Sequence, residues 1–151
     1  MKVLNGTLTL GHRPRLEKIR EMALEYDRVV TLLGSPENAD PIGNLVNQSG
    51  MKWSHFPLWR VWKADPEVVA GYAKKVIYNM HDGERVYLHC SAGIHRTGYV
   101  AFLVLGGVGY SRDAAIDAIC VERPIVADQV RRFLASKRIV ESCKIPENWL
   151  K

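Results

Sequence analysis

The chain has 151 residues, a length typical of one domain, so we expect residues 1–151 to form a single domain. Hydrophobic residues make up 47% of the sequence and charged residues 25%, which argues against a disordered or fibrous protein. The 21 basic and 16 acidic residues give a formal net charge of +5. This surplus favours anionic partners, although a role in solubility explains it equally well.

The cysteines argue against a disulfide scaffold or a structural zinc site, because Cys90, Cys120 and Cys143 form no C-x-x-C pair. The five histidines lack ligand-like spacing with acidic or cysteine partners, so we expect no metal. Cys120 and Cys143 lie in helical patterns and are predicted to be core residues. No signal peptide is visible, and the uncharged stretch 97–111 is too short for a membrane span. These features predict a cytoplasmic protein.

The first half of the chain shows strands and one helix in alternation. Residues 3–10 are predicted to form a strand, and helical spacing follows at Leu16, Ile19, Ala23 and Tyr26. The apolar run 28–33 is typical of a buried strand. Segment 34–50 is rich in Gly, Asn, Pro and Ser and is predicted to be a long loop, after which residues 52–56 are a candidate strand.

The second half begins with a strong helix signal, Asp65-Pro66-Glu67, because Asp caps a helix and Pro fits its first position. Apolar residues mark one helical face up to Met80, and residues 85–89 alternate as in a strand. Two further helices are predicted, one capped by Ser111 and running toward Arg123, and one from about Asp128 to Cys143. The order of elements predicts an α/β fold with a central, mainly parallel sheet flanked by helices.

The segment His89–Gly98, HCSAGIHRTG, leaves a predicted strand, passes through small residues and opens an apolar helix. Such a junction points successive backbone N–H groups into one concavity, where the helix dipole adds positive charge. It therefore suits a phosphate-like dianion. Gly93 permits the sharp turn. The predicted phosphate-binding residues are Ser91, Ala92, Gly93, Ile94, His95 and Arg96.

Cys90 is placed at the mouth of this concavity, where the N–H groups and Arg96 favour its thiolate form, a competent nucleophile. Arg96 can grip two phosphoryl oxygens at once and stabilise the charge of the transition state. Thr97 can donate its hydroxyl to the sulfur, and His89 can fix the loop through a backbone hydrogen bond. His95 either faces substrate or fills a variable loop position, and the sequence leaves both open.

The pattern His-Cys-x5-Arg-Thr, present here as HCSAGIHRT, resembles the signature loop of the cysteine-based protein tyrosine phosphatases. The short length, the opening GTLTLGHRP and the helical tail after Arg123-Pro124 are most similar to the compact dual-specificity branch. The resemblance implies a three-layer α/β/α fold, with Cys90 forming a phosphocysteine, Arg96 binding phosphate and Thr97 assisting breakdown of the intermediate. It also implies hydrolysis of phosphotyrosine, phosphoserine or phosphothreonine in a protein partner, without a cofactor.

The sequence departs from this family at the general acid, which is usually an Asp on a loop ahead of the cysteine. Trp59 or Arg60 stands where that Asp is expected. The nearest carboxylate, Asp65, is either the acid or only a helix cap, and Asp82 is expected at the far end of its strand. Gln129, by approximate alignment, either positions the hydrolytic water or is solvated.

A missing acid would favour substrates with good leaving groups, such as phosphoric anhydrides. The cluster Trp59, Arg60, Trp62 and Lys63 then resembles the RNA 5′-triphosphatase branch, although packing of the loop against the core is the favoured explanation of these tryptophans. The alternatives are therefore an RNA 5′ end or a phosphoinositide as substrate, and a catalytically silent phosphate-binding module. A rhodanese-type sulfurtransferase fits the loop less well. The oligomeric state is left open.

Overall fold

A computed structural model describes residues 1–136 of the chain. Its strands are β1 Lys2–Val3, β2 Gly6–Gly11, β3 Arg28–Thr31, β4 Lys52–His55 and β5 Arg85–His89. Its α-helices are α1 Ile19–Met22, α2 Asp40–Gln48, α3 Pro66–His81, α4 His95–Gly107, α5 Arg112–Glu122 and α6 Pro124–Ala135. Short 3-10 turns cover Leu16–Lys18, Ser35–Glu37 and Val61–Lys63.

The strands form one five-stranded sheet in the order β1-β2-β5-β3-β4. Every pairing is parallel except the antiparallel hairpin of β1 and β2, which confirms the mainly parallel sheet. His89 on the central strand β5 is paired with Gly11 of β2 on one side and with Thr31 of β3 on the other. The carboxyl ends of three strands therefore meet where the segment beginning with Cys90 leaves the sheet, the usual place for a site in an α/β protein.

Helices cover both faces of the sheet and bury two separate cores. The larger core joins Leu8, Val30 and Leu88 of the sheet to α3, α4, α5 and α6. The smaller core packs Ile19 and Ile42 from the helices on the other face against Val29. This arrangement confirms the three-layer α/β/α architecture.

The prediction of a long loop over 34–50 is wrong, because the segment contains α2. Ala39, Ile42 and Val46 are spaced by three and four residues, and they bury one helical face against β3. Pro41 lies in the first turn of α2, where its missing N–H costs nothing. The Gly, Asn, Pro and Ser content masked an amphipathic helix of only nine residues.

Other predicted boundaries also need correction. The strand predicted over 3–10 is a hairpin of two strands, with Leu4 at a positive φ of 52° in its turn. The predicted helix of residues 16–26 is reduced to a 3-10 turn and the four-residue α1. The last helix begins at Pro124 rather than near Asp128, and its predicted end at Cys143 lies outside the described residues. None of the described helices is long and apolar enough to cross a bilayer.

Candidate active site

The loop of residues 90–94 joins β5 to α4, and its side chains lie at very different depths. Ser91, Ala92 and His95 are exposed, whereas Gly93 is buried. Cys90 is only 2% exposed, so it lies at the floor of the loop rather than at its mouth as predicted. The N-terminus of α4 begins at His95, directly after the loop, and brings its positive dipole end to the sulfur.

The backbone of this loop is fixed from two sides. Gly93 has a φ of 67°, and a Cβ at this position would lie 2.0 Å from the carbonyl oxygen of Gly11. The Arg123 guanidinium donates to the Gly93 carbonyl at 3.0 Å, and the Arg13 N–H donates to the Ser91 carbonyl at 2.8 Å. Only glycine fits both the conformation and the space, as the sequence predicts.

A buried chain of hydrogen bonds holds the residue before the nucleophile. Trp53 Nε1 donates to Thr31 Oγ1 at 2.9 Å, which leaves the Thr31 hydroxyl to donate to His89 Nε2 at 2.8 Å. Neutral His89 then carries its proton on Nδ1 and donates to the Cys90 carbonyl at 2.9 Å. Burial lowers the pKa of His89 to about 4. The predicted role of His89 in fixing the loop therefore has a defined geometry and tautomer.

The pKa of the Cys90 thiol is lowered from its ordinary value. Burial raises this pKa, but the Thr97 hydroxyl, the N–H groups of Thr97 and Ile94, and the charge of Arg96 together lower it by more. Thr97 Oγ1 is fully buried, makes no hydrogen bond of regular geometry to any described residue, and acts on the sulfur. The arrangement favours an ionised nucleophile.

Arg96 is held in one orientation by four acceptor atoms, one of which is the Leu32 carbonyl oxygen at 3.4 Å. Its two terminal nitrogens donate to the two carboxylate oxygens of Glu37 at 2.5 and 2.9 Å, and Nη1 also donates to the Leu58 carbonyl at 2.9 Å. These contacts use Nη1 and one N–H of Nη2, and the guanidinium also interacts with the Cys90 side chain. A guanidinium carries five N–H donors, and two parallel donors match two oxygens of a phosphoryl group.

Glu37 is the residue that sequence reasoning missed. It lies in the segment predicted as a loop, accepts the Gly34 N–H at 2.7 Å, and is separated from Arg96 by 59 positions. Burial raises the pKa of the Glu37 carboxyl, but its bonds to Arg96 and Gly34 lower the pKa by more, so the net shift is downward. The pKa of Arg96 is raised, because the pairing with Glu37 and the nearby Cys90 outweigh burial. The only local signal was a carboxylate six residues after a buried strand.

The structure also places the other predicted candidates. The Asp65 carboxylate accepts the Glu67 N–H at 2.9 Å and caps α3, so its structural role is confirmed. Asp82 ends α3 beside the amino end of β5, far from Cys90 as predicted. Gln129 is half-buried on α6.

The structure also shows the surroundings of His95, of the two tryptophans and of Cys120. The ring of His95 lies edge-on to Phe133 of α6, with the ring centroids 6.1 Å apart. Trp59 and Trp62 are 50% and 51% exposed, so neither is packed fully against the core. Cys120 is half-buried and packs against the larger core as predicted, whereas Cys143 lies outside the described residues.

Comparisons with known proteins agree with this geometry. Residues 53–118 match the tyrosine phosphatase family. No curated protein matches the chain significantly. Tk-PTP in its active form has a TM-score of 0.71 at 21% sequence identity, and the alignment covers 91% of this chain and 95% of that one.

Two further solved structures share the fold. Kinase associated phosphatase, with its catalytic site cysteine replaced by serine, has a TM-score of 0.66 at 16% identity, covering 87% of this chain and 83% of that one. TpbA of P. aeruginosa in complex with pTyr has a TM-score of 0.61 at 18% identity, and the alignment covers 83% of this chain and 78% of that one. The chain therefore has the fold of these phosphatases, and its residues 53–118, which include Cys90 and Arg96, resemble the tyrosine phosphatase family.

Proposed function

We propose that the protein is a phosphomonoester hydrolase of the dual-specificity type that acts through a phosphocysteine intermediate. The observation that carries the proposal is the Cys90 sulfur at the N-terminus of α4, with a lowered thiol pKa despite its burial. A sulfur that accepts from the N–H groups of Ile94 and Thr97 and lies beside Arg96 combines a nucleophile with an anion-binding site. A buried structural cysteine needs none of these groups.

The first chemical step forms the S–P bond between Cys90 and the phosphoryl group while the P–O bond to the leaving group breaks. Arg96 and the N–H groups of the loop stabilise the equatorial oxygens in the transition state. The electron pair of the broken bond goes to the leaving oxygen. That oxygen takes its proton from water when the leaving group requires one, since the Asp65 carboxylate is engaged as a helix cap.

The second step hydrolyses the intermediate. Water attacks phosphorus, the S–P bond breaks, and its electron pair returns to the Cys90 sulfur. Thr97 eases this departure by donating its hydroxyl to the sulfur, and the same side chain lowers the thiol pKa in the resting site. Phosphate then leaves, the thiolate is regenerated, and the reaction consumes one water without a cofactor.

Phosphorylated protein is the substrate class that we place first. The complex of TpbA with pTyr shows that a related fold accepts phosphotyrosine, which supports this choice. Phosphoserine and phosphothreonine are included in the proposal as for the compact dual-specificity branch. A thiolate nucleophile also needs a reducing compartment, so we propose a cytoplasmic location.

An RNA 5′ end or a phosphoinositide is the second candidate substrate. It is favoured by the half-exposed Trp59 and Trp62, which alternate with Arg60 and Lys63 beside the site. The Leu58 carbonyl, next to Trp59, accepts a hydrogen bond from Arg96 and so joins this segment to the phosphate-binding group. Aromatic and cationic side chains there would meet the part of a substrate that lies beyond the phosphoryl group.

The test of the proposal is Cys90→Ser with Cys120→Ser as the matched control. Cys90→Ser should abolish hydrolysis of an aryl phosphate and keep binding of a phosphate analogue, whereas Cys120→Ser should keep both. Full turnover by Cys90→Ser would refute the proposal. Rapid-quench measurement should show a burst of covalent phosphoenzyme, and analogue binding without any burst would identify a silent phosphate-binding module.

The substrate class is tested by comparing phosphate release from four substrates. These are a phosphotyrosine peptide, a phosphothreonine peptide, a 5′-triphosphorylated RNA and a phosphoinositide. We expect the highest kcat/KM with the phosphopeptides. A higher kcat/KM for the RNA or the lipid would replace the first candidate with the second.

A further inference from the structure

Residues 59–63, Trp-Arg-Val-Trp-Lys, form a turn with an unusual surface, and we name these five residues the aromatic turn. Both tryptophans are about half exposed, and Arg60 and Lys63 are exposed. Val61, in the centre, is only 2% exposed. One buried valine therefore anchors a segment that presents two large aromatic rings and two cations to solvent.

The base of the aromatic turn is well held. A Cβ on Gly34 would lie 2.9 Å from the Trp59 Cα, so the two backbones are in close contact. The preceding Leu58 is 4% exposed, and its carbonyl accepts a hydrogen bond from Arg96 at 2.9 Å. The exposed rings are thus presented by a fixed support that adjoins the phosphate-binding site.

The composition of the aromatic turn matches the headgroup layer of a membrane. Tryptophan rings prefer this layer because they are apolar with one polar edge, and Arg and Lys bind anionic headgroups. The turn contains no acidic residue. The carboxylates of Asp65 and Glu67 lie nearby, but Asp65 is engaged in capping α3. Val68 on the first turn of α3 is 46% exposed and extends the apolar surface.

Base stacking by RNA is a weaker explanation of the same surface. The Arg60 guanidinium carbon lies over the Trp59 ring, 6.0 Å from its centroid, and covers a face on which a base would stack. A cation above an exposed ring does not hinder insertion of the ring edge into a lipid headgroup layer. The arrangement therefore favours a lipid surface over a nucleic acid.

We propose that the aromatic turn docks the protein on the headgroup layer of an anionic bilayer. Insertion of Trp59 and Trp62 would turn the adjoining phosphate-binding site, through Leu58 and Arg96, toward the membrane surface. This inference concerns binding and is independent of the proposed hydrolase activity. It requires only that the full chain associates with anionic lipid through these residues.

The test is co-sedimentation of the full chain with vesicles of phosphatidylcholine alone and of phosphatidylcholine mixed with phosphatidylserine. We expect binding to the anionic vesicles only, and weaker binding at high salt. The double variant Arg60→Gln, Lys63→Gln should bind about 25-fold more weakly, since each cation near an anionic surface contributes about fivefold. Trp59→Ser, Trp62→Ser should also lose binding.

The matched control is Leu24→Ser, Val121→Ser, which removes two side chains that are 82% and 89% exposed elsewhere on the surface. It should bind vesicles as the unmodified chain does. Thermal unfolding of each variant checks that the fold is intact. Quenching of tryptophan fluorescence by brominated lipid provides a second measurement on the unmodified chain.

Failure of the unmodified chain to bind anionic vesicles would overturn the proposal. Equal binding by the unmodified chain and both turn variants would overturn it as well. Single-stranded RNA serves as the competing ligand. Binding of RNA that depends on the aromatic turn, without vesicle binding, would assign the surface to nucleic acid instead.

Discussion

Replacing Glu37 by glutamine tests whether this residue positions Arg96 for catalysis. The change keeps the shape of the side chain but removes its charge, so one of its two terminal atoms becomes a donor. That atom would face either the Gly34 N–H or an Arg96 N–H, which are themselves donors. Arg96 loses its fixed orientation, and a donor is left unpaired in a site where both side chains are less than one-sixth exposed.

The expected loss of unfolding free energy is about 3 kcal/mol, as found when one partner of a largely buried pair is removed. For a chain of this length, that corresponds to a fall in Tm of about 6–12 °C. Because Arg96 is retained but is no longer held in place, kcat/KM for an aryl phosphate should fall roughly 10- to 100-fold.

Glu84→Gln is the matched control. Glu84 pairs with Arg28 through two bonds of 2.6 and 3.1 Å, is 11% exposed, and lies at the opposite end of β5, roughly 16 Å from the site. The Glu84→Gln variant should lose a similar amount of unfolding free energy and keep the kcat/KM of the unmodified chain. Equal kcat/KM for Glu37→Gln and the unmodified chain would refute the positioning role, whatever the change in stability.

The same pair predicts a pH dependence of stability. Because the pKa of Glu37 is lowered in the folded protein, its contribution is present above the ordinary value of about 4.5 and is lost as pH falls through the folded pKa. The stability difference between the unmodified chain and Glu37→Gln should therefore shrink at acid pH. Chemical unfolding of both proteins at a series of pH values measures this difference in unfolding free energy. A difference that stays constant down to the pH of acid unfolding would contradict the lowered pKa of Glu37.

Three further predictions concern other parts of the site. His89 should be neutral at pH 5, with its proton on Nδ1, because burial lowers its pKa to about 4. ¹⁵N NMR spectra measure this state, and an imidazolium signal at pH 5 would contradict the buried chain of hydrogen bonds through Thr31 and His89. Gly93→Ala should abolish phosphate binding in calorimetry, whereas Gly50→Ala, also at positive φ but with open space around it, should cost only about 1 kcal/mol and retain binding. Asp65→Ala should lower the unfolding free energy by about 1 kcal/mol and leave kcat within a few-fold; a loss of 100-fold or more would make Asp65 the general acid.

Local sequence signals predicted much of the fold correctly. The strand before Cys90, the helix after it, and the caps at Asp65 and Ser111 depend on residues close together in the chain. Pro124 at the first position of α6 was an available signal of the same kind and marks a start four residues earlier than predicted.

The missed features depend on contacts between distant segments. Helix α2 has loop-like composition, and it is stabilised by the burial of Ile42 and Val46 against the sheet. The partnership of Glu37 and Arg96 spans 59 positions and exists only once β3 and β5 lie side by side. The depth of Cys90 likewise follows from packing around the loop, which residue types alone do not specify.

The ionisation of Cys90 is the central claim, and its most direct test is the pH dependence of alkylation by iodoacetamide. The double variant Cys120→Ser, Cys143→Ser leaves Cys90 as the single thiol. We predict that the sulfur reacts and that the midpoint of its titration lies below the ordinary thiol value of 9.0. A midpoint at or above that value, or a sulfur too deeply enclosed to react at any pH at which the protein is folded, would contradict the account.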